Sequence, residues 1–175
     1  YTLMPLSTNR RASSALMMIA MGAFIPSSGS AAELDSKALR EAIDGVYTLE
    51  DWHTDSGVFQ PPKADGRLVF LNGAVVFATQ NGTVEGIHTV TAGQGVYEIS
   101  NGKFSYTYNK WSVFSQTTSG LSASYKLPWE GFRTYSASQS GDAVALRSES
   151  GEEFLFSKTG IRYSVKGKLL RVWRR

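Results

Sequence analysis

The stretch GRLVFLNGAVVFAT, residues 66–79, predicts a β-hairpin. Its two apolar runs are rich in valine and phenylalanine, which pack well on a pleated sheet. Asn72-Gly73 separates the runs, and both residue types tolerate the positive φ angles of a two-residue hairpin turn. A second Asn-Gly pair, at 101–102, separates GVYEIS from KFSYTYN and predicts a second hairpin.

The rest of the chain continues this pattern of short strands and tight turns. Later strands are predicted in LSASYKL, FRTYSAS, AVALRSE, EFLFS, IRYSVK and LLRVW, with Trp111 and Phe114 in connecting segments. Only residues 34–44 read as a helix, which Asp35 or Ser36 can cap. Short strands without helices between them favour an antiparallel meander, and closure into a barrel removes its edges. We therefore expect an all-β, antiparallel up-and-down barrel of about eight to ten strands, preceded by a short helix.

The first 32 residues resemble an export signal. Arg10 and Arg11 precede the apolar run ASSALMMIAMGAFI, and small residues follow near Ser30 and Ala32. A basic region, an apolar region and a small-residue cleavage site are typical of a secretory signal peptide. The prediction is a signal peptide at 1–32, a barrel domain at 33–175, and a periplasmic or secreted location. The apolar run is too short for stable insertion in a membrane.

Composition narrows the classes of function. The chain has 18 basic and 15 acidic residues, and removal of residues 1–32 would leave a net charge of +1. The few clustered basic residues are too few for a nucleic-acid-binding face. Cysteine is absent, which excludes disulfides, thiolate metal ligands and thiol nucleophiles. No metal or cofactor is predicted, and the sequence leaves the oligomeric state open.

Four stretches resemble the bacterial lipocalin-like domains. They are Gly45–Leu49, Gly66–Phe70 followed by Asn72-Gly73, Gly95–Glu98 and Leu169–Arg174. The resemblance implies an eight-stranded calycin barrel with a ligand cavity. It also implies that an arginine of the last strand, Arg171 or Arg174, closes over the opening aromatic residue, Tyr47.

The stretch DWHTD, residues 51–55, is a candidate for chemistry. In an extended strand, Asp51, His53 and Asp55 would line one face. An imidazole between carboxylates can serve as a general base or bind a metal. The alternative is the polar end of a strand, which the position before the proline-containing loop favours.

Aromatic residues are the stronger candidates for a ligand site. Phe104, Tyr106 and Tyr108 share one face of a strand, and their barrel would present that face to its interior. An apolar cavity with a few hydroxyl groups is typical of small-molecule sites. The predicted ligand-binding residues are Phe104, Tyr106, Tyr108, Trp111, Tyr125, Trp129 and Tyr135.

Three functions remain open from the sequence. The first is an exported lipocalin-like protein that binds a small apolar or aromatic molecule inside its barrel. The second is an enzyme of the same shape, in which His53 with Asp51 or Asp55 transfers a proton. The third is a structural or partner-binding barrel with a filled core.

Overall fold

The computed structural model describes residues 34–126 and 131–175. The predicted signal peptide and Trp129 lie outside them. Within these residues one short helix precedes an all-β fold, as predicted. The elements are α1 Ser36–Ile43, β1 Gly45–Thr54, β2 Gly57–Phe59, β3 Ala64–Leu71, β4 Ala74–Val84, β5 Ile87–Ser100, β6 Lys103–Thr117, β7 Gly120–Lys126, β8 Arg133–Ser140, β9 Ala143–Arg147, β10 Glu152–Ser157, β11 Gly160–Val165 and β12 Lys168–Arg174.

Ten of the strands form a closed antiparallel barrel. They follow one another around the ring in chain order, and β12 pairs with β1 to close it. The other two are side strands: β2 pairs with the end of β1, and β7 pairs with β6. Ten strands agree with the predicted range and exceed the eight that the resemblance implies. No described helix has the length and apolar character needed to cross a membrane.

The predicted hairpin turns are confirmed by their backbone angles. Asn72 and Gly73 have φ angles of 51° and 85°, and Asn101 and Gly102 have 50° and 66°. Positive φ at both central residues suits the right-handed twist of the flanking strands. The first turn sets the register of β3 and β4, from Leu71 opposite Ala74 to Ala64 opposite Asn81.

The strands β5 and β6 are longer than the sequence patterns predicted. The prediction that Trp111 and Phe114 lie in connecting segments is wrong, because both are inside β6. Pairing of residues 111–117 with β7 extends the strand after the register shift near Gln94. A register shift of this kind interrupts the alternation on which a sequence prediction depends.

The helix covers one end of the barrel. Leu39 and Ile43 are buried, and the hydroxyl of Tyr47 donates a hydrogen bond of 2.8 Å to the Ile43 carbonyl. The prediction that Arg171 or Arg174 closes over Tyr47 is wrong. Arg175 does so, with its guanidinium carbon 5.9 Å from the ring centroid.

Candidate functional site

The two carboxylates of DWHTD each contact a side chain outside this stretch. Asp51 accepts a hydrogen bond from Gln60, and Asp55, in the turn after β1, pairs with Lys168. The Nε2 atom of His53 is buried without a hydrogen-bond partner in the described part of the chain. Within residues 34–126 and 131–175, no cluster of three His, Asp or Glu residues is arranged to hold a metal. These positions fit the polar strand-end interpretation.

The predicted aromatic ligand residues have different positions. Four of them, Phe104, Tyr106, Tyr108 and Tyr135, are buried and share the barrel interior. Their rings contact one another, with centroids 5.9 Å apart for Phe104 and Tyr106 and 6.0 Å apart for Tyr106 and Tyr135. They therefore form part of a packed aromatic core.

A partly buried carboxylate, that of Glu152, lies at one side of this core. Glu152 accepts hydrogen bonds from the hydroxyls of Tyr163, at 2.8 Å, and Tyr135, at 3.1 Å. Arg133 lies 3.5 Å away from the same carboxylate. Glu152, Tyr163 and Arg133 were not predicted as site residues, because only the strand register brings them to one place.

The tyrosines of this cluster remain protonated donors. Burial raises the pKa of Tyr163 and of Tyr135 well above the ordinary value, and the charge of Glu152 adds to the rise. Their hydroxyls therefore supply hydrogen-bond donors to the Glu152 carboxylate, and these hydrogen bonds stabilise the packing of the three side chains. A groove of about 710 Å³ borders the cluster, and charged groups of both signs line it together with serine and threonine hydroxyls.

A second feature of the interior involves Gly93. Phe77 on β4 and Trp111 on β6 both pair with Gly93 on β5, from opposite sides. Their rings stack across it, with centroids 5.6 Å apart and planes within 6°. A side chain at Gly93 would clash, since an added Cβ would lie 2.6 Å from Trp111 Cε3. The stack fixes which faces of β4, β5 and β6 point inward.

The opposite, outer face of these strands carries a trough. Residues that neighbour the inward rings in sequence point outward, because side chains alternate along a strand. Ala78, Ala92, Ser112 and Tyr125 are paired in that order across β4 to β7. Three small side chains thus form a floor, and Tyr125 stands at its end with 64% of its surface exposed.

Rows of larger side chains border this floor. On one side lies the cross-strand row Val76, Gln94, Lys110, and on the other the row Gln80, Val90, Phe114. Tyr125 packs edge-on against Phe114, with ring centroids 5.8 Å apart. The trough, which is lined by the floor, by Tyr125 and by the row Val76, Gln94, Lys110, has a volume of about 350 Å³. We call it the outer trough.

Two predicted ligand residues border the outer trough from different layers. Tyr125 is its end wall, whereas Trp111 contributes from beneath the floor. The floor itself was not predicted. Alanine and serine residues do not indicate a binding site in a sequence. Only the pairing of four strands brings these residues into one row.

No protein-family model, curated protein or solved structure was found to match the chain. The closed antiparallel barrel is consistent with a calycin-like architecture.

Proposed function

We propose that this protein binds a small apolar or aromatic molecule in the outer trough. The observation that carries the proposal is the row of small side chains, Ala78, Ala92 and Ser112, between two rows of larger ones. Such a row makes a concave surface on a sheet that is otherwise convex outward. The end wall Tyr125 offers an aromatic face for stacking, which is worth about 0.5–1.5 kcal/mol beyond area burial.

The size and lining of the trough support a small ligand. Its volume of about 350 Å³ lies in the range of about 300–1,000 Å³ that is usual for small-molecule sites. Most of its side chains are apolar, and Val76 and Tyr125 are among the exposed large apolar residues of the described chain. Exposed apolar surface of this kind often marks a binding site.

The packed interior favours the outer face over the barrel lumen. Phe104 and Tyr135 are fully buried, and their rings contact each other at 6.2 Å. An apolar ligand among these rings would have to displace well-packed side chains, which costs about 1–3 kcal/mol or more. The same ring contacts favour the filled-core interpretation of the lumen.

The test is titration with N-phenylnaphthylamine, an uncharged probe that fluoresces in apolar sites. Tyr125→Ala should weaken binding about tenfold, because loss of a stacking face of about 1.4 kcal/mol corresponds to that factor. Ala92→Leu should abolish binding by filling the floor. The matched control is Ala74→Leu, which adds the same side chain to an exposed position of β4 outside the trough.

A different result would locate the ligand in the lumen. In that case Ala92→Leu would leave the affinity unchanged, and Tyr108→Phe or Tyr106→Ala would lower it in a protein with native circular dichroism. No saturable binding to the unmodified protein would contradict both locations.

We also propose that the protein is exported. The support is the order of basic, apolar and small residues in the first 32 positions. Mass spectrometry of the protein from its native host should find a mature terminus near Ala32 or Glu33. A retained terminus upstream of Arg10 would contradict export.

A further inference from the structure

Lys110 is the charged residue among the described residues that line the outer trough. Lys110 lies at the end of the row Val76, Gln94, Lys110, directly opposite Gln94 on the neighbouring strand. Ser112 follows two positions later, so its hydroxyl faces the same side of the sheet. Strands β5 and β6 therefore present an amide, an ammonium and a hydroxyl to the trough, whereas β4 presents Val76 and Ala78.

Lys110 has no ion pair with any described residue, which distinguishes it from its nearest basic counterpart. Arg67 lies opposite Ala78, at the far side of the trough, and its guanidinium is 3.3 Å from the Asp65 carboxylate. Among the described residues that line the trough, Lys110 is therefore the cation that negative charge in a ligand would meet. The acidic residues Glu85 and Glu98 lie elsewhere on β5 or its turn and do not line the trough.

An apolar body in the trough would strengthen an ion pair at this point. It would displace water beside the ammonium, and electrostatic attraction grows as the local dielectric falls. The Gln94 amide and the Ser112 hydroxyl can add hydrogen bonds to an anionic oxygen. Hydrogen bonds to charged oxygens are the stronger kind.

We propose that the ligand of the outer trough is an amphiphile with an anionic group, and that Lys110 binds that group beside Gln94 and Ser112. The inference rests on the proposed function, and it narrows the ligand from any apolar molecule to an apolar or aromatic acid. A carboxylate and a sulfonate present the same chemistry to this site.

Two probes separate the charge from the apolar body. Anilinonaphthalene sulfonate carries an anion on nearly the same ring system as uncharged N-phenylnaphthylamine. The unmodified protein should bind the sulfonate more tightly. Lys110→Gln should lower the affinity for the sulfonate about fivefold and leave the affinity for the uncharged probe unchanged. Lys110→Arg should keep most of the affinity for the sulfonate.

The control for general charge effects is Lys158→Gln, which removes the same charge from an exposed turn away from the trough. It should change neither affinity. Raising the ionic strength to about 1 M, where the screening length is about 3 Å, should reduce the advantage of the sulfonate.

Three outcomes would overturn the inference. Equal affinity of Lys110→Gln and the unmodified protein for the sulfonate would remove Lys110 from the site, while binding of the uncharged probe would leave the proposed function standing. An equal loss in Lys158→Gln and Lys110→Gln would show a general charge effect. Failure of both probes to bind would overturn the inference together with the proposed function.

Discussion

The guanidinium carbon of Arg171 lies 3.3 Å from the centroid of the Trp52 ring. The two residues face each other across the pairing of β1 with β12, which closes the barrel. Burial lowers the pKa of Arg171 to about 10. The Nη1 atom of Arg171 also donates a hydrogen bond of 2.6 Å to the Leu170 carbonyl. The contact between this cation and the aromatic ring therefore stabilises the pairing of β1 with β12, which we call the seam of the barrel.

Replacement of Trp52 should weaken this seam. Trp52→Leu keeps an apolar side chain but removes the ring, and a partly desolvated cation–π contact is worth about 1–2 kcal/mol. We expect a loss of about 2 kcal/mol in the free energy of unfolding, measured by urea denaturation. The matched control is Phe132→Leu at an exposed aromatic position. If both variants fall within about 0.5 kcal/mol of the unmodified protein, the contact does not stabilise the seam.

Tyr47 supports the covered end of the barrel in two separable ways. Its ring is fully buried against Phe156, so Tyr47→Ala should cost about 3–5 kcal/mol. Tyr47→Phe keeps the ring and loses only the hydrogen bond to the Ile43 carbonyl, which should cost about 1 kcal/mol. Denaturation of both variants measures the two contributions. A near-neutral Tyr47→Ala would contradict the assigned register of β1.

Alkaline pH should destabilise the protein. Burial raises the pKa of Tyr47 to about 12, and it raises those of Tyr97 and Tyr106 as well. Above about pH 10, the unfolded chain releases these protons while the folded protein keeps them, so the free energy of unfolding falls as pH rises. Below about pH 10, the buried tyrosine hydroxyls contribute fully to the free energy of unfolding.

Arg171 acts in the opposite direction over the same interval, because its pKa is lower in the folded state. Because Arg171 is one group and the buried tyrosines are several, the free energy of unfolding should fall as the pH rises through this interval. Urea denaturation between about pH 8 and pH 11 measures it. Constant stability across this interval would contradict the burial of the tyrosine hydroxyls, and Tyr47→Phe should show a smaller loss than the unmodified protein.

Glu152 and Tyr163 should be energetically coupled. Each single change, Glu152→Gln or Tyr163→Phe, alters a partly buried hydrogen bond of 2.8 Å to a charged group and should cost about 1–2 kcal/mol. Because both remove the same contact, the double variant should be less destabilised than the sum of the two, by about 0.5–3 kcal/mol. Strict additivity in a double-mutant cycle would show that the two groups act independently. Arg147→Gln with Ser157→Ala, on different strands, offers an additive control.

Local signals predict the framework of the fold. The two Asn-Gly pairs determine where β3 turns into β4 and where β5 turns into β6. The inward alternation of Phe104, Tyr106 and Tyr108 is already visible in the sequence. Asp35 was predicted as one of two helix caps, and its side chain accepts a hydrogen bond from the Lys37 backbone. These features depend on neighbours within a few residues, so a sequence can encode them visibly.

Features that depend on the register of several strands could not be predicted. Tyr125 is predicted as a ligand residue from its residue type. Its alternation with Ser124 shows that the two side chains face opposite sides of the sheet, but not which side is the barrel interior. The stacked pair Phe77 and Trp111 supplies that reference, and it arises across Gly93 on an intervening strand. Before the register shift in β6, the inward-facing residues have even numbers, and after it they have odd numbers. The sequence alternation therefore does not reveal that Tyr108 and Trp111 lie on the same face.

Nuclear magnetic resonance of the protein with bound N-phenylnaphthylamine tests the proposed ligand site most directly. Intermolecular Overhauser effects should connect the probe to the methyl groups of Ala78 and Ala92 and to the ring of Tyr125, since these groups line the outer trough. Contacts to the rings of Phe104 and Tyr135, without contacts to the two alanines, would place the ligand in the lumen and contradict the account.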